Sequence, residues 1–247
     1  MIVLKCEQCS GNNLVFKDGL YVCENCGARY IPENSAESVE NLYIRARRSR
    51  DYDDGVNAIE YYEKILLLKP DDWEAEFFSV YFKCKDDMDD NKLDRAQVRL
   101  MKCITRTLED IGKSDISASE KRDALEAIAD KTVELMQAVY YKALVQLPGR
   151  AVCADFFDKV DREMIINTME SCPMTIDFLA SCIPLHIKPV EPYIDIIIRL
   201  YENSAELREK LIPMMEKDEV KAQRVILAQT LDTIETYKEK LNNQKIT

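Results

Sequence analysis

Glycine and histidine are scarce in this chain, with six glycines and one histidine in 247 residues. So few glycines leave little room for a phosphate-cradling loop, and neither GxGxxG nor GxxxxGK occurs. Any Ser-His-Asp set would have to use His186, and no GxSxG elbow accompanies it. A Cys-His nucleophilic pair has no supporting local motif. Basic charge is also in the minority: 34 Lys and Arg face 45 Asp and Glu, a formal net charge of −11. Such a surface repels phosphates and disfavours nonspecific nucleic-acid binding as the main function. Long apolar runs are missing. The most apolar stretch, Ile176 to Leu200, carries Asp177, His186, Lys188, Glu191 and Asp195 together with Pro184, Pro189 and Pro192. It cannot cross a bilayer as one helix. The N-terminus shows no charged region followed by an apolar run, so no signal peptide is expected.

The chain does hold nine cysteines, four of them in two CxxC pairs: Cys6/Cys9 and Cys23/Cys26. Each CxxC can wrap a tight turn that points two thiolates at one ion. Two such turns complete a tetrahedral thiolate set, with Zn–S distances of about 2.3 Å. Gly11 and Gly27 stand where such turns often need positive φ. Between the pairs, Asp18-Gly19 favours a type I′ turn, flanked by the strand-like Leu14-Val15-Phe16 and Leu20-Tyr21-Val22. Such a hairpin would carry the second pair back to the first. Iron in a rubredoxin-like site and a disulfide pair remain alternatives to zinc. Four protein ligands leave no open coordination position, so the ion is expected to be structural and not catalytic.

Residues 2 to 31 resemble the zinc ribbon family, in particular small bacterial ribbons similar to the one at the start of transcription factor IIB. Cys6, Cys9, Cys23 and Cys26 match its ligand positions. The resemblance implies a bound structural zinc and a contact with nucleic acid, RNA polymerase or another protein. Fold alone does not choose among these.

Beyond Ile31-Pro32 a polar stretch, residues 32 to 40, reads as a linker. Helical periodicity then runs to the C-terminus. From Ala58 the chain reads AIEYYEKILLLKPDDWEAEFF. It resembles the second helix of a tetratricopeptide repeat, with Ala58, Tyr62 and Ile65 at packing positions, Pro70 at its end and Trp73 opening the next helix. The first helix of the repeat would run from Val39 to Asp51, with Leu42 and Ala46 inward. Arg45 and Arg47 depart from the family pattern, and the turn DYDDGVN looks about two residues long for it. An acidic loop is expected over DDMDDN, a helix from Leu93 to about Gly112, and a long helix opened by the capping box Ser117-x-x-Glu120 and stopped by Pro148-Gly149. Five further helices are expected around Val152–Met169, Thr175–Leu185, Pro192–Tyr201, Ala205–Met215 and Glu219–Leu241, with Pro173 and Pro192 at helix starts.

Three clusters raise functional questions. Arg45, Arg47, Arg48 and Arg50 could grip a phosphate backbone or an acidic peptide, or simply pair with the acidic segment that follows. Cys172, Cys182 and His186 sketch a second metal site that lacks a fourth ligand, against the plainer reading of buried thiols. Tyr61, Tyr62, Trp73, Phe77, Phe78, Tyr81 and Phe82 could line a groove but sit at core spacing.

The expected protein is therefore mainly α. It is a helical-repeat, tetratricopeptide-like bundle over residues 41–247, joined through a linker (32–40) to a small β-hairpin zinc ribbon (1–31). Five singly placed cysteines suit a reducing cytoplasm. The expected role is a non-catalytic adaptor for a protein or peptide partner, with structural zinc, no membrane contact and no assigned catalytic residue. The alternative is a transcription-associated or nucleic-acid-linked regulator acting through the ribbon.

Overall fold

The computed structural model describes residues 5–6, 8–17, 20–30, 38–147 and 156–244. The chain is mainly α, with a small three-stranded antiparallel sheet at its N-terminus. It divides into two compact units, Met1–Ser79 and Val80–Thr247. The division falls within a helix.

In the first unit, β1 (Leu14–Lys17) pairs antiparallel with β2 (Leu20–Cys23), which pairs with β3 (Arg29–Tyr30). Lys17 faces Leu20 and Leu14 faces Cys23, so the register brings Cys23 back beside the first cysteine pair. The expected Asp18-Gly19 turn lies outside the described residues, as do residues 32–37 of the expected 32–40 linker; its last two residues, Val39 and Glu40, belong to a helix. Helix α1 (Val39–Asp51) starts at Ser38, whose hydroxyl accepts the Asn41 N–H at 3.3 Å. Helix α2 (Gly55–Leu68) starts at Asp54, which caps Asn57 in the same way. The turn between them is shorter than expected. Asp51 still belongs to α1 and Gly55 to α2, because Asp53 takes a left-handed φ of 58°. That conformation closes the helix end with Asp54 N–H to Ser49 C=O and Asp53 N–H to Arg50 C=O. Leu42 and Ala46 of α1 and Ala58, Tyr62 and Ile65 of α2 are buried where the two helices meet.

Helix α3 runs from Trp73 to Asp89, four residues into the stretch DDMDDN expected to be a loop. The helix continues because Asp87, 6% exposed, finds partners: Arg99 Nε donates to it at 2.8 Å and Arg95 Nε lies 3.3 Å away. Those arginines offset acidic charge at a helix C-terminus, where the dipole disfavours it.

The second unit stacks α4 (Leu93–Lys113), α5 (Ala118–Gln146), α6 (Phe156–His186), α7 (Ile194–Leu211) and α8 (Lys217–Gln244). The expected capping box at Ser117 and Glu120 is formed in both directions. Helix α6 packs against α4, α5 and α7, and α7 packs against α8. Two expected breaks are absent. Residues 156–186 form one helix with Pro173 and Pro184 inside it, not two helices with Pro173 at a start. An internal proline costs about 3 kcal/mol. Burial of Met169, Cys172, Ile176, Leu179, Ala180 and Ile183 along one stripe outweighs that cost. Likewise Ile194–Leu211 is one helix through Ala205, whose burial with Ser204 and Leu207 rewards continuity. The expected start near Val152 lies outside the described residues. Pro192 sits in a 3-10 turn, Glu191–Tyr193, directly before α7.

Gly112 marks a close approach within this unit. A Cβ there would meet the His186 carbonyl oxygen at 2.4 Å. Gly112→Ala should therefore push the end of α4 off α6 and destabilise by about 2 kcal/mol, read as a lower urea midpoint at unchanged m. Among the described residues no helix is long and apolar enough to cross a membrane.

Candidate metal centre

Two backbone knuckles build the site, and they are near copies. In the first, Ser10 N–H bonds Cys6 C=O at 2.7 Å and Cys6 N–H bonds Gly11 C=O at 2.8 Å. In the second, Gly27 N–H bonds Cys23 C=O and Cys23 N–H bonds Ala28 C=O, both at 2.7 Å. Each knuckle turns its chain back on itself, so its two sulfurs point the same way. The hairpin sets the two knuckles face to face.

All four Sγ atoms of Cys6, Cys9, Cys23 and Cys26 lie within 4.8 Å of one another. Cys6 and Cys26 approach to 3.5 Å, Cys9 and Cys23 to 3.6 Å. A tetrahedron with metal–sulfur bonds of about 2.3 Å has sulfur–sulfur edges of about 3.8 Å, so the cluster fits one tetrahedral thiolate-bound ion. Cys6 and Cys23 are buried, while Cys9 and Cys26 are exposed.

The donor set also calls for a cation. The Tyr30 hydroxyl, 3.0 Å from Cys6 Sγ, pulls that thiol down to about 6 against the desolvation that raises it. At Cys26 the Ala28 N–H acts downward, but the crowded Cys6, Cys9 and Cys23 sulfurs outweigh it and push the thiol up to about 12. Cys9 is raised too, the Gly11 N–H and Cys26 acting downward and the Cys23 and Cys6 sulfurs upward. Four negative charges do not coexist at this spacing unaided. A divalent ion at the centre would supply the countercharge.

Comparison with protein-family models and with curated proteins finds no match for this chain. The geometry is that of a small β-hairpin whose four cysteines suit one metal ion.

The glycines divide their roles differently from expectation. Gly27 does take positive φ, at 77°. Gly11 does not; its left-handed counterpart is Ser10, at φ 57°. Gly11 is needed for space, since a Cβ there would meet the Asn25 side chain at 2.3 Å and Cys9 Sγ at 3.3 Å. The signal for Ser10 was present in the sequence: laying Cys6-x-x-Cys9 over Cys23-x-x-Cys26 places Ser10 on Gly27. Ser10→Gly should stabilise the metal-loaded ribbon by about 1 kcal/mol, because glycine holds a left-handed φ without the Cβ penalty. Slower metal loss to a chelator would register it.

The other candidate clusters resolve toward the plain readings. Arg47 grips Glu74 through Nε at 2.8 Å and Nη2 at 2.6 Å, and Arg50 Nη1 reaches the same carboxylate at 3.3 Å. Glu74 is 6% exposed and also accepts from the Tyr62 hydroxyl at 3.2 Å. Arg47 lies over the Tyr43 ring and Arg50 over Phe78. Arg45 and Arg48 lie over Tyr61 and Tyr52. Two of the four arginines are thus tied into the packing of the first unit, through a glutamate 24 to 27 residues away. Among the described residues, Cys172, Cys182 and His186 form no ligand cluster. Cys172 is buried, its thiol is pushed up to about 12 by burial, and Gln97 Nε2 donates to its sulfur at 3.1 Å. Tyr62, Phe77, Phe78, Tyr81 and Phe82 are buried as core, while Trp73 and Tyr61 are half-buried.

Proposed function

We propose that this protein is a non-catalytic adaptor, in which a structural zinc ribbon of the transcription factor IIB type accompanies a tetratricopeptide-like helical body that holds a protein or peptide partner. The observation that carries the structural-metal part is the four-thiol cluster. Cys6, Cys9, Cys23 and Cys26 supply all four corners of a tetrahedron, which leaves no position for substrate or water. Zinc is favoured over iron because it needs no redox partner and takes this geometry readily.

The adaptor part rests on the helices. The pair α1–α2 buries Leu42, Ala46, Ala58, Tyr62 and Ile65, the positions a tetratricopeptide repeat uses to pack its two helices. Pairs of this kind characteristically present surfaces to peptides and partner helices. Engagement of Arg47 and Arg50 with Glu74 removes two charges from any phosphate-gripping role. Together with the net charge of −11, this ranks protein above nucleic acid as the partner. Singly placed, reduced cysteines outside the ribbon fit a cytoplasmic protein.

The test is a tagged pull-down from the native cell, with and without nuclease, read by mass spectrometry. A stoichiometric, nuclease-resistant partner that resists added salt is the expected result. Recovery of RNA polymerase, or of a set lost on nuclease treatment, would replace the adaptor by a transcription-linked regulator.

A further inference from the structure

Tyr30 sits in the short strand β3, outside both CxxC pairs, yet its hydroxyl lies 3.0 Å from Cys6 Sγ. The direction of that hydrogen bond is decided by its surroundings. A metal-bound cysteine is a thiolate and has no proton to give. The Tyr30 oxygen is meanwhile approached by the Gln8 N–H at 3.4 Å, which occupies its acceptor side. The hydroxyl proton therefore points at sulfur. Pairing of Arg29 with Val22 and of Tyr30 with Tyr21 fixes the strand that carries it.

We infer that Tyr30 is a positioning residue of the metal centre: its hydroxyl donates to the Cys6 thiolate, sets the electron density of that sulfur and holds the first knuckle closed over the ion. This rests on the metal-binding reading of the four cysteines. An O–H donor withdraws density from the sulfur it reaches, which lowers the nucleophilicity of Cys6. Burial acts in the same sense, since Cys6 is 1% exposed whereas Cys9 and Cys26 are open to solvent. Attack by electrophiles or competing chelators is thereby directed to Cys9 and Cys26. Tyr30 also joins β3 to the first knuckle, through Cys6 Sγ and the Gln8 N–H.

The experiment compares the full-length wild type with Tyr30→Phe, which keeps the ring and removes the hydroxyl. Both are loaded with cobalt(II) and, separately, with zinc. Three readouts are taken: metal per chain, the sulfur-to-cobalt charge-transfer band, and the rate of zinc transfer to a chelator. The expected result is one ion per chain in both proteins, a charge-transfer band moved to lower energy in Tyr30→Phe, and zinc transfer about 10-fold faster. The band reports sulfur electron density, which loss of packing alone does not move. A wild type that binds neither ion would overturn the metal reading itself, and the Tyr30 role with it. Wild type and Tyr30→Phe with one ion each, the same band and the same transfer rate would leave the metal reading intact and refute the role of Tyr30. Should Tyr30→Phe fail to load, Tyr30→His restores a ring N–H donor, and recovery of loading separates a lost donor from a lost ring.

Discussion

Cys23→Ser is expected to abolish stoichiometric metal and to unfold the ribbon while leaving the helices folded. Cys23 is fully buried at the end of β2, and its backbone N–H and C=O anchor the second knuckle through Ala28 and Gly27. The sheet it closes has two four-residue strands and one two-residue strand, too little apolar surface to fold alone. A bound metal would supply most of the folding free energy, on the order of 10 kcal/mol. A serine oxygen is a far poorer zinc ligand than a thiolate, so most of that contribution is lost. Helices α1 and α2 fill their contact with their own residues, Leu42, Ala46, Ala58, Tyr62 and Ile65. The far-ultraviolet circular dichroism of the helices should therefore persist, while metal analysis falls to zero and the strand resonances collapse. Persistence of one ion per chain would falsify the ligand assignment. Loss of helical signal together with the ribbon would show that the two fold as one.

The second large effect lies in the buried charge of Arg208 on α7, which is 2% exposed. Its Nη2 pairs with Asp177 of α6 at 2.5 Å, and its Nη1 donates to Gln223 of α8 at 2.9 Å. Gln223 in turn donates to Glu170 of α6. This polar chain ties three consecutive helices together. It is not fully satisfied, for Arg208 Nε and Asp177 Oδ1 have no hydrogen-bond partner among the described residues. Asp177→Asn leaves the guanidinium buried without its counter-ion and should cost about 3 kcal/mol. For a unit of this size that is a fall of about 6–12 °C in melting temperature. Replacing both partners by apolar residues, Asp177→Leu with Arg208→Met, should cost far less than the single change, because no uncompensated charge remains. Equal losses in the single and double variants would mean that the pair is screened by solvent and contributes by packing alone.

The same contrast separates what could be read from the chain and what could not. Local signals were legible. The limits of α1 at Val39 and Asp51, the opening of α3 at Trp73 and the capping box at Ser117 follow from side chains that act within one turn of themselves. The four-cysteine cluster was legible for a related reason: a CxxC turn is a local object, and only the hairpin register was needed to bring two of them together.

What failed to be legible was set by distant partners. Asp87 stays helical because Arg95 and Arg99 of the next helix neutralise it. Arg47 and Arg50 of α1 are engaged by Glu74 on α3. Pro173 and Pro184 are carried inside α6 because a buried stripe on either side of them outweighs two missing hydrogen bonds. The sequence by itself determined the two cysteine turns, the helical class and most helix starts, since these depend on periodicity and on contacts a few residues apart. Tertiary structure decided where helices continue, which charges remain available and that Tyr30 stands over Cys6, since each depends on groups brought together only by packing.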